Sequence, residues 1–337
     1  LLYMKIVNIS LADIFVGVLI VLSLFEILPI LYTILKPEFC YGCTSLGKLH
    51  QYLNVNVKFA YINWSAYTVL FLYLLYVSKN IHNTLLKYLA LASCVFMLVL
   101  PIMPISNVIT FILSLYYDNP PFIRDYKNVF PSSTKIEDSY QIIKSEYENF
   151  TSEYKADCIR KSNPAFTIEN TSDDKHCWRG LYLKRAGAID ENQTKFFSKT
   201  IECLRDEQIH NAFFSILDPG VEIPGHTGYY KGYLRYHLGV DIPNNDSLND
   251  HSKAYIVCGK EKYVWKNGEG IVFDDMYYHY VRNPSNQTRV VLYLDIKRKT
   301  DNAFIDSINK VGMWLVENSV FLKFFIQNQH NQIKIQA

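Results

Sequence analysis
Two patterns of hydrophobic and polar positions divide this chain near residue 118. Before it, apolar residues run in long blocks with few charges. Phe59 to Ser78 is uncharged between Lys58 and Lys79, and Tyr88 to Tyr117 is uncharged between Lys87 and Asp118. A bilayer helix needs roughly 20 such residues, so each run predicts one span, the second kinked or broken by Pro101 and Pro104. A third span is predicted over about Phe15 to Leu35, where Glu26 costs a few kcal/mol unless paired or protonated. Residues 1–118 therefore read as a membrane region with about three transmembrane helices.

After that point charges are dense and the apolar positions shorten. Asn119-Pro120-Pro121 breaks the pattern, and 119–174 is polar, tyrosine-rich and weakly periodic, as a linker or covering segment would be. From 175 to 300, short alternating stretches are separated by turn residues. Examples are Ala212 to Leu217 before Asp218-Pro219-Gly220, Tyr233 to Val240 before Pro243-Asn244-Asn245, Ala254 to Cys258, Gly270 to Phe273, and Val290 to Ile296. Period-two stretches at this spacing predict a mainly β sandwich or barrel, since the intervals leave no room for crossover helices. Helical spacing predicts a helix over Asn192 to Asp206 and another over Ala303 to Gln327, so that 301–337 reads as an amphipathic C-terminal helix covering a sheet face or lying on a membrane surface.

Composition changes this picture in three places. The net charge of +2 over 337 residues and the absence of a basic stripe argue against a nucleic-acid partner. Sidedness is left open by opposing signals. Lys36, Lys48, Lys58, Arg124 and Lys127 outnumber Lys5, Lys79 and Lys87 and point to a cytoplasmic C-terminal part. Asn-x-Ser/Thr sites at Asn149, Asn170, Asn192, Asn245 and Asn286 are acceptors only in a secretory lumen such as the endoplasmic reticulum. Cys158, Cys177, Cys203 and Cys258 could form two bridges there, with no pairing fixed. Cys40-Tyr41-Gly42-Cys43 has a metal-like spacing without a second ligand pair.

The candidate chemistry sits in the β part. His226, in His226-Thr227-Gly228 after a Pro224-Gly225 bend, and His279, at the end of a strand running from Gly270, are too far apart to share a helix turn, so they can meet only across a sheet. Two neutral imidazoles with open positions suit ferrous iron. Arg235 and His237 point the same way from one strand, with Leu234, Tyr236 and Leu238 opposite. A buried guanidinium needs an anion, and a dicarboxylate fits. A hairpin centred on Pro284-Ser285 would set Arg289 nearly opposite Tyr280, one step from His279. Asp274 and Asp275 are placed to orient His279 from behind.

Ser215 in Phe214-Ser215-Ile216-Leu217-Asp218-Pro219-Gly220, His226-Thr227-Gly228, Arg235-Tyr236-His237-Leu238-Gly239, Trp265, Gly268, Phe273-Asp274-Asp275, His279 and Arg289 together resemble the aspartyl/asparaginyl β-hydroxylase family over about residues 175 to 300. The resemblance implies a double-stranded β-helix, or jelly roll, that uses Fe(II), 2-oxoglutarate and dioxygen. It implies His226 and His279 as iron ligands, with Gly228 where related oxygenases place a carboxylate. Ser215 and Arg289 would hold the distal carboxylate of 2-oxoglutarate, and Arg235 with His237 the carboxylate near the metal. The implied reaction is hydroxylation of the β-carbon of Asp or Asn in a protein substrate, with a lipid acyl chain as the alternative and a non-catalytic jelly-roll binding module as a third reading. The membrane runs make the whole an integral, multi-pass protein.

Overall fold
The computed structural model describes residues 69–76, 88, 91, 104–159, 176–228, 230–243, 252–318 and 333–335. The expected span over Phe15 to Leu35 lies outside these residues, as does Cys40-Tyr41-Gly42-Cys43, while residues 69–76 of the run Phe59 to Ser78 are helical. Among the described residues no helix is long and apolar enough to cross a membrane. Of the run Tyr88 to Tyr117, its last part forms helix α1 (Pro104–Tyr116).

The rest is mainly β, built from two antiparallel sheets. In chain order the strands are β1 (Phe122–Ile123), β2 (Tyr154–Ala156), β3 (Trp178–Arg185), β4 (Ala188–Ile189), β5 (Ile209–Leu217), β6 (Glu222–His226), β7 (Tyr233–Asp241), β8 (Tyr255–Cys258), β9 (Glu261–Val264), β10 (Gly270–Phe273), β11 (His279–Arg282), β12 (Arg289–Lys297) and β13 (Ile333–Ile335). The large sheet runs β1-β10-β7-β12-β5-β3-β4 and the small one β6-β11-β8-β9, while β2 pairs with β13 in a separate ribbon.

Alternation divides the large sheet into two buried faces. Even-numbered side chains such as Phe214, Leu234, Tyr236, Leu238, Leu292 and Leu294 pack under Ile136, Ile143, Tyr147 and Phe150, which come from α3 (Ser133–Asp138) and α4 (Tyr140–Glu153). Odd-numbered ones such as Phe213, Val291 and Phe273 meet Ile223, Ile256 and Val281 of the small sheet. Burying both faces is why these strands carry little polar alternation outside the cavity.

Several expectations change here. Of the two alternatives for 119–174, linker or covering segment, residues 119–159 take the second: β1 is the edge of the large sheet, and α2 (Tyr126–Val129), α3 and α4 cover its outer face. Their apolar positions are spaced for helix, but the charges between them mask the period. The helix expected over 192–206 is only α5 (Ser198–Cys203), preceded by a short 3-10 turn over Glu191–Gln193. The C-terminal helix is α6 (Ala303–Glu317), capped by the Asn302 side chain, which accepts from the amides of Phe304 and Ile305; its expected continuation to 327 lies outside the described residues. Among the described residues one disulfide forms, Cys158–Cys177, while Cys203 and Cys258 are buried free thiols.

Candidate active site
The two sheets enclose a cavity of about 230 Å³ lined by His226, His279, Ser215, Arg235, His237 and Arg289 among others. All six residues singled out from the sequence are thus brought together.

His226 closes β6 and His279 opens β11, and the two are direct partners across the small sheet. His279 therefore begins a strand instead of ending the one from Gly270, because Asp274 to Tyr278 turn the chain from the large sheet into the small one. The imidazole rings lie 4.2 Å apart. Nδ1 of His226 is 2.8 Å from the Pro224 carbonyl, and Nδ1 of His279 is 2.9 Å from the Tyr277 carbonyl. A carbonyl only accepts, so in each ring Nδ1 carries the proton and Nε2 keeps a lone pair for a metal. Burial holds both rings neutral, lowering His226 to about 3 and His279 to about 4, with the proximity of His279 adding to the effect on His226. The pair fits a divalent ion that takes imidazole ligands. Among the described residues no third His, Cys, Asp or Glu completes a protein-only cluster.

Gly228 has a steric reason. A Cβ there would overlap the Asp275 carboxylate, whose backbone carbonyl also accepts from the Gly228 amide at 2.7 Å. A carboxylate does reach the cavity wall, but from the turn before His279. Its neighbour Asp274 is fully buried and bound by Lys231 at 2.5 Å, Arg298 at 2.6 Å and Asn119 at 3.0 Å. Burial alone would raise Asp274, yet the Arg298 and Lys231 cations bring it down to about 2. This network clamps the turn that delivers Asp275 and His279.

The cationic residues take different roles from one another. Arg235 points into the cavity as its alternation requires, but it is already paired, with Asp275 at 2.8 Å and with Asp295 at 2.5 Å. The Asp295 approach is an ion pair whose angles fall outside hydrogen-bond geometry. Arg235 thus organises the wall through two carboxylates, whereas the resemblance gave it, with His237, the ligand carboxylate near the metal. Asp295 was not singled out from the sequence; it is legible only once β12 is known to lie beside β7, in register with Arg235.

Arg289 differs. The expected hairpin pairing with Tyr280 does not form, since β11 belongs to the small sheet and β12 to the large one. Arg289 instead starts β12 beside β5, where Nη1 donates to the Ser215 carbonyl at 3.1 Å and to its Oγ at 3.3 Å. The guanidinium lies over Trp265 at 4.6 Å. It is 1% exposed, Nε is unpartnered, and no carboxylate pairs with it among the described residues. Burial alone lowers it to about 9. Trp178 Nε1 donates to Ser215 Oγ at 2.9 Å, steadying that contact. His237 is enclosed by Trp265, Phe273 and Tyr293, and neither of its ring nitrogens has a partner. Burying such groups unpaired costs about 1–3 kcal/mol each, so the cavity is built for an anionic, hydrogen-bonding ligand reaching from Arg289 to His237.

Comparison with known proteins bears on this geometry. Residues 137–299 match the family model described as aspartyl/asparaginyl beta-hydroxylase. The ornithine lipid ester-linked acyl 2-hydroxylase of Rhizobium tropici is 31% identical over 173 residues, covering 49% of this chain and 57% of that protein. The aspartyl/asparaginyl beta-hydroxylase of Mus musculus is 29% identical over 133 residues, 36% of this chain and 16% of that one. The chain thus spans little more than half the length of the first and a sixth of the second. A Pseudomonas putida prolyl-4-hydroxylase structure aligns over 48% of this chain and 87% of its own at 11% identity with a TM-score of 0.33, a likeness too slight to decide anything. Over residues 137–299 this chain is thus similar to the aspartyl/asparaginyl beta-hydroxylase family.

Proposed function
We propose that this chain is a membrane-attached dioxygenase, dependent on Fe(II) and 2-oxoglutarate, that hydroxylates an unactivated C–H bond within a jelly-roll (double-stranded β-helix) domain. The observation that carries the reading is Arg289: a buried guanidinium without a carboxylate partner among the described residues, in the same cavity as two neutral, backbone-oriented histidines. When bound, Fe(II) and 2-oxoglutarate supply the oxidising chemistry, one atom of O2 entering the substrate C–H bond and the other entering succinate as CO2 is lost.

The chain's own residues bind, orient and exclude water. His226 and His279 would hold the metal through Nε2. Arg289 and Ser215 would grip the distal carboxylate in charge-assisted fashion, and His237 would hydrogen-bond the end nearer the metal. Asp275, its carboxyl raised by burial with Arg235 acting against the rise, is held in the wall beside His226 by its contact with Arg235. The sheet cores close the site to bulk water, which raises the worth of each of these contacts.

For the substrate, the geometry favours an acyl chain. Beyond the polar groups just assigned, Ile159, Phe213, Ile223, Ile256, Val281 and Tyr293 give the cavity an apolar stretch, beside the polar Arg185, His210, Asn211 and Thr227. An Asp side chain would need a further unclaimed cation, yet Arg235 is held by two carboxylates and Arg185 stacks on Tyr182 at 3.8 Å. A lipid acyl substrate also agrees with what the Rhizobium relative is named for. The second reading, a protein Asp or Asn, is supported by the names of the mammalian relatives.

The test uses the full chain in detergent or nanodiscs with Fe(II), O2 and 2-oxoglutarate, following succinate and a gain of one oxygen on offered phospholipids, aminolipids and peptides. Succinate release that disappears in His279→Ala is expected. Undiminished succinate in that variant would refute the metal assignment, and failure of the native chain both to bind iron and to consume 2-oxoglutarate would refute the enzyme.

A further inference from the structure
Helix α1 contains no charged residue, and a largely apolar, uncharged helix belongs in a core or in lipid. Ile109 and Leu113 do face a core, packing with Tyr230, Tyr233, Ile305 and Val316. Gly312 of α6 allows the close approach: a Cβ there would come within 2.8 Å of Ile109 Cγ2. Yet Val108, Phe111 and Leu115, on the other side of α1, are exposed, Leu115 by 72%. The partner helix repeats this. Phe304, Val311 and Trp314 of α6 are also exposed, Phe304 by 69% and Trp314 by 62%. Two packed helices thus present large apolar side chains outward together, a display that folded domains keep for a partner.

We propose that these outward faces of α1 and α6 form one lipid-facing surface that seats the sheet domain directly on a bilayer. Two observations select lipid as the occupant. First, α1 is the end of the uncharged run from Tyr88 to Tyr117, so the residues leading into it are themselves of bilayer composition. Second, there is no slack after it. Arg298 sits over the Tyr117 ring at 5.0 Å, Asn119 donates to Asp274, and Tyr277 donates to the Asn119 carbonyl at 2.8 Å. The chain passes from apolar helix to the turn that carries Asp275 and His279 within a few residues, so the domain cannot hang on a tether. The last turn of α6 meanwhile reaches the cavity, which Val316 and Glu317 line, and this places the cavity beside the lipid surface. Trp314 suits such a boundary, where an amphipathic ring is at home.

The inference rests on the membrane attachment proposed above, and the experiment separates the two. The full chain is reconstituted in vesicles of phosphatidylcholine and phosphatidylglycerol, with photo-crosslinking benzoylphenylalanine replacing Phe111, Val311 or Trp314 in turn, and replacing Lys199 on α5 as control. After irradiation, mass spectrometry is expected to find a phospholipid adduct at the first three positions and none at Lys199. Crosslinks to residues 1–103 of the same chain or to a second copy, or no adducts at all, would overturn the inference. Alkaline extraction of the same vesicles reports on attachment alone. A chain that stays in the membrane but forms no lipid adduct defeats only the seating surface; a chain that is released defeats both.

Discussion

Arg289 brings a positive charge into a cavity where no carboxylate of the described chain meets it, and the residues that touch or steady it, Ser215, Trp178 and Trp265, are neutral. A point charge on a flexible stem does not reproduce a planar fork, so Arg289→Lys is expected to raise the KM for 2-oxoglutarate by about 10- to 100-fold, the worth of a charge-assisted contact of about 1.5–3 kcal/mol. Iron affinity should be unaltered, and an unchanged KM would remove Arg289 from the cosubstrate site. Gly228 makes a steric prediction. In Gly228→Ala the added methyl displaces the Asp275 carboxylate, so succinate production should fall while far-ultraviolet circular dichroism stays native. Full activity in that variant would mean that the Asp275 position does not matter. The histidine types and spacing were legible from the sequence, whereas the second role of Asp275 was not, because the contact with Gly228 joins residues far apart along the chain.

At the scale of elements, the Cys158–Cys177 bridge ties the chain after α4 to the start of β3, next to Trp178. It closes a loop with a sequence separation of 19, for which chain entropy gives about 3 kcal/mol of stabilisation. The double variant Cys158→Ser with Cys177→Ser should therefore melt several degrees lower, and an unchanged melting temperature would show that the bridge constrains nothing. A second element-level device joins β5 to the end of α6. His210 stacks on Tyr233 at 5.0 Å and approaches Glu317 at 3.4 Å, with Asp295 and Arg235 also acting on it. Burial outweighs the acidic neighbours and lowers His210 to about 4. The sign follows from this. Below about pH 6.5 the unfolded chain takes up a proton that the folded chain refuses until about pH 4. Stability is thus lost as pH falls through that window, by about 1.4 kcal/mol per unit for the single proton. Glu317, raised by burial, works in the opposite sense and offsets part of the loss. His210→Gln should flatten the dependence of melting temperature on pH between 6.5 and 4.5; an identical slope in the variant would rule out His210 as its source.

For the whole molecule, we propose an oxidising compartment for the sheet domain. It holds a disulfide, and Asn149, Asn192 and Asn286 of the acceptor triplets are all exposed. We expect the sheet domain to face a lumen, so that glycosidase treatment of the full chain made in secretory cells increases its gel mobility. An unglycosylated product with a protease-accessible sheet domain in intact cytosol-side-out vesicles would place the domain on the other side.

The sequence by itself determined what depends on near neighbours along the chain: a mainly β domain, the two sides of β7 with Arg235 and His237 opposite Leu234, Tyr236 and Leu238, and the residue types able to hold a metal and a dicarboxylate. Side chains alternate along any strand, so these properties need no knowledge of what lies beside it. Tertiary structure alone decided which strands became neighbours. It sent β11 and β12 to different sheets, gave Arg235 to Asp275 and Asp295 while leaving Arg289 without a carboxylate, and used 122–153 as an edge strand and a helical cover. Those outcomes follow from packing between distant segments, where one register or one crossing from sheet to sheet determines which charges meet.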